Sequence, residues 1–206
     1  MWGNSPILIY MEEKRFKTTL EPVTLDNANE AQKPQLEKSL KEMGMIPNMY
    51  ANMVNSPGLM ETYAIGYDRF RKNSGFSPVE QEVVFLTISV LNGCEYCAAA
   101  HSFIADKMSK VPQEVTDAIR DGEEIPDAKL RALSDFTKVM FEKRGNPNQE
   151  DVRAFLEAGY QEKQILEIVL ALAVKTLSNY SNHIFQTPVD DAFSSRKWSK
   201  RESQEA

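Results

Sequence analysis

Cysteine and histidine are scarce in this chain, with two of each among 206 residues. Two cysteines cannot build the disulfide framework of a small secreted scaffold, and two histidines cannot supply a repeated Cys/His zinc module. A basic face is also missing: the formal net charge is −6, which excludes the electrostatic footprint of a nucleic-acid binder. The one basic cluster, "RKWSKR" from Arg196 to Arg201, follows the last patterned stretch and reads as a solvated tail. No apolar run reaches the roughly 18 residues of a membrane helix. The N-terminal "PILIY" is too short for a signal-peptide core and follows no basic region, so a cytoplasmic location is the default expectation. Strand patterning is nearly absent too. Only "FKTTLEPVTL" (16–25) is a candidate for extended chain, and it reads as an arm.

Helical punctuation fills the rest. "SPGLMETYAIGYDRF" opens with Ser56 as N-cap and Pro57 in the first turn. "SPVEQEVVFLTISVLNG" repeats the signal with Ser77, Pro78 and Glu80, the Ser-x-x-Glu spacing of a capping box, and Gly93 closes it. Residues 126–145 run from proline to glycine, and 148–159 from Asn148 to Gly159. Residues 161–186 are apolar on most sides in their middle, which places them at the core or an interface. With 42% hydrophobic residues and no separating linker, the chain reads as one all-α domain over 26–190. An N-terminal arm (1–25) precedes it and a flexible tail (191–206) follows. A weak echo relates 75–97 to 159–181 at a shift of 84, with both cysteines facing serines, Ser178 and Ser181. A degenerate internal repeat and chance coincidence both account for it.

The chemistry concentrates in "GCEYCAAAHS" (93–102). On a helix, Cys97 lies about −60° and His101 about −20° from Cys94, so the three share a face, and His101 is one turn beyond Cys97. A helix start favours the reactive thiolate, and a histidine in contact can take its proton. A second cysteine three residues away can resolve a sulfenic acid. Cys97 is the attacking thiol on this reading because His101 accompanies it; the reverse assignment, with Cys94 attacking, stays open. Core packing of two sulfurs and a zinc site completed by a fourth ligand are the competing readings.

"SPVEQEVVFLTISVLNGCEYCAAAH" resembles the core motif of the alkylhydroperoxidase D-like proteins of the carboxymuconolactone decarboxylase superfamily. "NYSNHIFQTPVD" (179–190) is similar to a segment of the peroxidase-related members. The resemblance spans roughly residues 45–190. It implies an all-helical fold that forms trimers or hexamers, and cysteine-based reduction of hydroperoxides or disulfides. No tightly bound cofactor or metal is implied; electrons come from an external dithiol, in some members a lipoyl-bearing protein. It also implies that Glu82 and His101 form a proton relay and Cys94 and Cys97 the redox couple. Read by itself, Glu82 is either a first-turn glutamate favoured by the helix dipole or a buried base with a raised pKa.

One position departs from the family pattern. Some peroxidase members carry a histidine next to the second cysteine, where this chain has Tyr96, a phenol that cannot act as a base at neutral pH. Disulfide reduction or weak general peroxidase activity is therefore expected over specialised alkylhydroperoxidase turnover. Asn179, Asn182 and His183 read as structural groups, with a supporting place near the cysteines as the alternative. Met43, Met45, Met49, Met53 and Met60 read as adaptable packing. A non-catalytic redox sensor is the main functional alternative. A lactone decarboxylase, which needs no cysteine pair, is the weaker one.

Overall fold

A helix leaves its first N–H groups without partners, and this chain supplies oxygens where the sequence places them. In the computed structural model, which describes residues 15–199, Ser77 Oγ accepts from Glu80 N–H at 3.2 Å, and Glu80 Oε2 accepts from Ser77 N–H at 2.8 Å. Asp127 accepts from Leu130 N–H at its helix start, and Asn148 accepts from Asp151 N–H at the next. Ser56 occupies its N-cap position, but its side chain makes no capping bond.

The described residues form nine α-helices and no strand: α1 (Lys33–Met43), α2 (Asn48–Met53), α3 (Pro57–Asn73), α4 (Pro78–Leu91), α5 (Glu95–Ile104), α6 (Gln113–Asp121), α7 (Ala128–Glu142), α8 (Gln149–Glu157) and α9 (Glu162–Phe185). A π-helical turn, Ala105–Ser109, extends α5, and a 3₁₀ turn, Asp191–Arg196, follows α9. The all-α single domain expected from the punctuation is what the chain forms.

α4 is the centre. Every residue from Glu80 to Ser89 is buried, which matches its apolar run, and α5, α6, α7 and α9 all pack on it. Phe85 is the hub of the aromatic core, 4.6 Å from the Phe70 ring and stacked 5.4 Å from Tyr67. Burying such a side chain contributes about 1.5–3 kcal/mol. α3 lies unusually close to α9: a Cβ on Gly66 would stand 2.8 Å from Val174 Cγ2, so glycine is required for the approach.

Two terminal expectations change. Residues 15–24 have no regular secondary structure, and they are strapped to the domain by Thr18 N–H to Ile184 O at 3.0 Å and Val23 N–H to Ala51 O at 2.9 Å. The tail is not loose over 191–199. Arg196 pairs with Asp106 at 2.9 Å and Asp117 at 2.6 Å, and Trp198 Nε1 donates to Arg120 O at 2.9 Å. Arg196 of the basic cluster thus meets carboxylates of its own chain, which local sequence spacing does not reveal. Residues 1–14 and 200–206 lie outside the described part.

Candidate active site

Gly93 sets the site. Its φ of 66° lies in the left-handed region, where an L side chain is strained. Gly93 N–H bonds Val90 O and Cys94 N–H bonds Ser89 O, both at 2.9 Å, the paired bonds of a Schellman closure. The turn delivers Cys94 directly as the N-cap of α5, with extended backbone (φ −85°, ψ 98°). Cys94 Sγ accepts from Cys97 N–H at 3.5 Å. The expectation of three groups on one helical face is therefore corrected: Cys94 is not helical, and the sulfurs converge by capping. Cys97 and His101 do stand one turn apart on α5.

Asn182 closes the pair from α9. Its Nδ2 donates to Cys97 Sγ at 3.2 Å and approaches Cys94 Sγ at 3.9 Å. Both cysteines are unbridged and buried, 1% and 2% exposed. Burial opposes ionisation at Cys97, but the Cys94 S–H, the charge of Lys175, His101 and the Asn182 amide outweigh it. Its pKa is held well below the ordinary thiol value. Cys94, which gives its S–H to that sulfur, is pushed up by this bond and then by burial.

A charged chain lies behind His101. Glu82, 1% exposed, receives Arg71 Nη2 at 2.5 Å and His101 Nδ1 at 2.9 Å. Desolvation alone would raise the Glu82 pKa. The His101 hydrogen bond and the Arg71 guanidinium reverse that and hold it below the usual carboxylate value. The raised pKa anticipated for a buried Glu82 base is thus corrected: the bond from His101, and then Arg71 reaching in from α3, lower it. Burial, and then the charge of Lys175, keep the His101 pKa below its ordinary value. An ionised Glu82 facing Nδ1 makes that nitrogen the donor, which leaves Nε2 as the basic lone pair of a neutral ring.

Lys175 was not anticipated. It is 1% exposed on α9, with its Nζ 5.6 Å from the Phe85 ring centroid; the same ring lies 4.9 Å from the Arg71 guanidinium and 5.0 Å from the His101 ring. A lysine inside "LALAVKTLS" was the readable signal. Asn182 was read mainly as structural, and its contact with the sulfurs corrects that. Asn179 accepts from Asn92 Nδ2 at 2.8 Å beside the Gly93 turn.

Tyr96 is buried and turned away from the sulfurs' hydrogen bonds, its hydroxyl donating to Asp190 at 2.5 Å. His183 is exposed and stacks near Tyr180. Met49, Met53 and Met60 are core residues, whereas Met43 is exposed. Among the described residues no three His, Cys, Asp or Glu side chains converge as a metal-ligand group; His101 faces Glu82 instead.

Comparison with known proteins bears on the fold. Residues 57–138 match the profile of the Carboxymuconolactone decarboxylase family. The chain has the alkylhydroperoxidase D-like fold. Its structure matches an uncharacterized peroxidase-related protein from Ralstonia eutropha JMP134, described as an alkylhydroperoxidase AhpD core, with TM-score 0.74 and 22% identity over 84% of this chain and 93% of that one. A peroxidase-related protein from Silicibacter sp. TM1040 gives 0.71 and 19% identity over 89% and 97%. A variant of the debrominase Bmp8 in complex with 2,3,4-tribromopyrrole gives 0.70 and 16% identity over 89% and 97%. No curated protein matches the chain. No helix among the described residues is long and apolar enough to cross a membrane.

Proposed function

We propose that the chain is a dithiol-dependent reductase of small hydroperoxides or disulfides. The observation that carries this reading is the pair of adjacent, unbridged sulfurs held by one N-cap and one amide, with a neutral histidine one turn away. Cys97 thiolate attacks the peroxide: an S–O bond forms, the O–O bond breaks, and alkoxide leaves. The Cys94 proton, taken by His101 Nε2, neutralises that alkoxide to the alcohol. Cys94 thiolate then displaces hydroxide from the Cys97 sulfenic acid, forming the disulfide, and a solvent proton makes water. Two sulfurs are oxidised by two electrons and the peroxide is reduced by two. An external dithiol restores the pair by exchange.

Arg71 and Glu82 fix the His101 tautomer, so they serve as positioning residues. The near-complete burial of both sulfurs favours small substrates. It also supports a second reading, a redox sensor that is oxidised once. Incubation with peroxide and excess dithiothreitol or dihydrolipoamide distinguishes the two. Many equivalents of peroxide consumed per chain support the enzyme, and one equivalent refutes it in favour of the sensor. A halogenated pyrrole belongs in the same assay, given the debrominase of like fold. Leu166, Val169, Tyr180 and Ile184, exposed along α9, support assembly with further copies of the chain, which light scattering tests.

A further inference from the structure

The buried charges around the sulfurs balance in only one way. Glu82 is matched by Arg71, whose guanidinium also bonds the Tyr67 hydroxyl at 2.7 Å. His101 is neutral, and Asp190 is turned to Tyr96 and to Asn48 N–H. Tyr63 on α3 is buried, Tyr67 on α3 and Tyr50 on α2 are partly buried, and desolvation raises the pKa of all three phenols. Lys175 is left over. Its side chain is 1% exposed, yet it makes no ion pair with a carboxylate among the described residues. An isolated ammonium in such surroundings is strongly unfavourable unless an anion lies near it. The face of Phe85 supplies part of that compensation.

The remaining acidic group in its neighbourhood is a sulfur. Lys175 and Asn182 are seven residues apart on α9, two turns along one face, and Asn182 touches both thiols. The Gly66 contact with Val174 fixes how closely this stretch of α9 approaches α3. We infer that Lys175 is the positioning cation of the site, the counter-charge that holds Cys97 as its thiolate and so makes it the attacking sulfur. The inference rests on the proposed thiol chemistry and deepens it: it chooses between the two cysteines by a residue outside the Cys-x-x-Cys segment. The charges felt at Cys97 agree, since Lys175 acts there to favour the anion and acts on His101 to keep it neutral.

Thiolate absorbance in the far ultraviolet, followed against pH in the reduced full-length protein, tests this without requiring turnover. In the wild-type chain one thiolate persists well below the ordinary cysteine range and is absent from Cys97→Ser. Lys175→Met moves its titration upward, so the thiolate present at neutral pH falls by about tenfold or more. Lys175→Arg keeps the charge and restores most of it. A folded Lys175→Met chain with the wild-type titration overturns the inference. Thermal melts give a second reading. Cys97→Ser strands the ammonium, so adding Lys175→Met to it raises Tm; a further fall, or failure of both Lys175 variants to fold, shows a packing role and overturns the inference. A Lys175-dependent thiolate in a protein that consumes no peroxide leaves this inference standing and removes the peroxidase reading.

Discussion

Residues 75–97 and 159–181 begin on the same local structure and then diverge. Gly75 and Gly159 both have positive φ, 73° and 95°, and the aromatic residues after them, Phe76 and Tyr160, meet edge-on at 5.9 Å. Glu80 reaches back to Ser77 N–H and Gln164 to Gln161 N–H, each at 2.8 Å. At Gly93 the first segment turns. Its counterpart Leu177 does not, and α9 runs on to Phe185. Where the first has Cys94 at an N-cap, the second has Ser178 in mid-helix, its hydroxyl returned to its own carbonyls at Val174 and Lys175. Ser181 does the same with Leu177 at 2.7 Å. A helix break presents a side chain to unpaired N–H groups; an unbroken helix turns a hydroxyl back on itself. The uninterrupted helix instead carries Lys175 and Asn182, so one segment holds the sulfurs and the other sets their charge.

The largest expected effect comes from making the first segment like the second at its reactive position. Cys97→Ser should reduce dithiol-driven peroxide consumption by about a thousandfold or more, to background. Cys94→Ser should allow one oxidation and then stop. Glu82→Gln comes next. It leaves Arg71 without its carboxylate, with an expected loss of about 3 kcal/mol in denaturant melts and about a hundredfold in turnover through the misplaced His101.

The pH dependence follows from the same two residues. The folded pKa of His101 is lowered, so the unfolded chain binds a proton first as pH falls below about 6.5. Stability is full above that value and is lost on acidification, by up to about 1.4 kcal/mol per pH unit. The lowered Glu82 adds a loss of the same sign as pH falls through its folded pKa. His101→Gln should flatten the upper part of the profile. The smallest effect is Gly93→Ala, which forces a β-carbon into φ 66° for about 1 kcal/mol of stability. It should reduce turnover disproportionately, since the turn delivers Cys94 to its cap.

What was legible in the sequence was local. Ser77 with Glu80, Gly93, and Cys94 with Cys97 interact across a few residues, so their spacing carried their placement. Glu82 was found through the family spacing, but its ionisation was misjudged because Arg71 approaches from another helix. Asn182 and Lys175 act across the α5–α9 contact, where no short-range pattern operates. Lys175 did leave a trace as a lone charge in an apolar run. Arg196 and Trp198 read as tail because their partners, Asp106, Asp117 and Arg120, are fixed only by the tertiary fold.

The central claim, that the Gly93 turn presents a redox couple, is tested most directly by intact-mass analysis of the reduced protein after one equivalent of hydrogen peroxide. The account predicts loss of two hydrogens, a Cys94–Cys97 disulfide in the peptide map, and full reversal by dithiothreitol. An unchanged mass, or added oxygen with no disulfide, would contradict it.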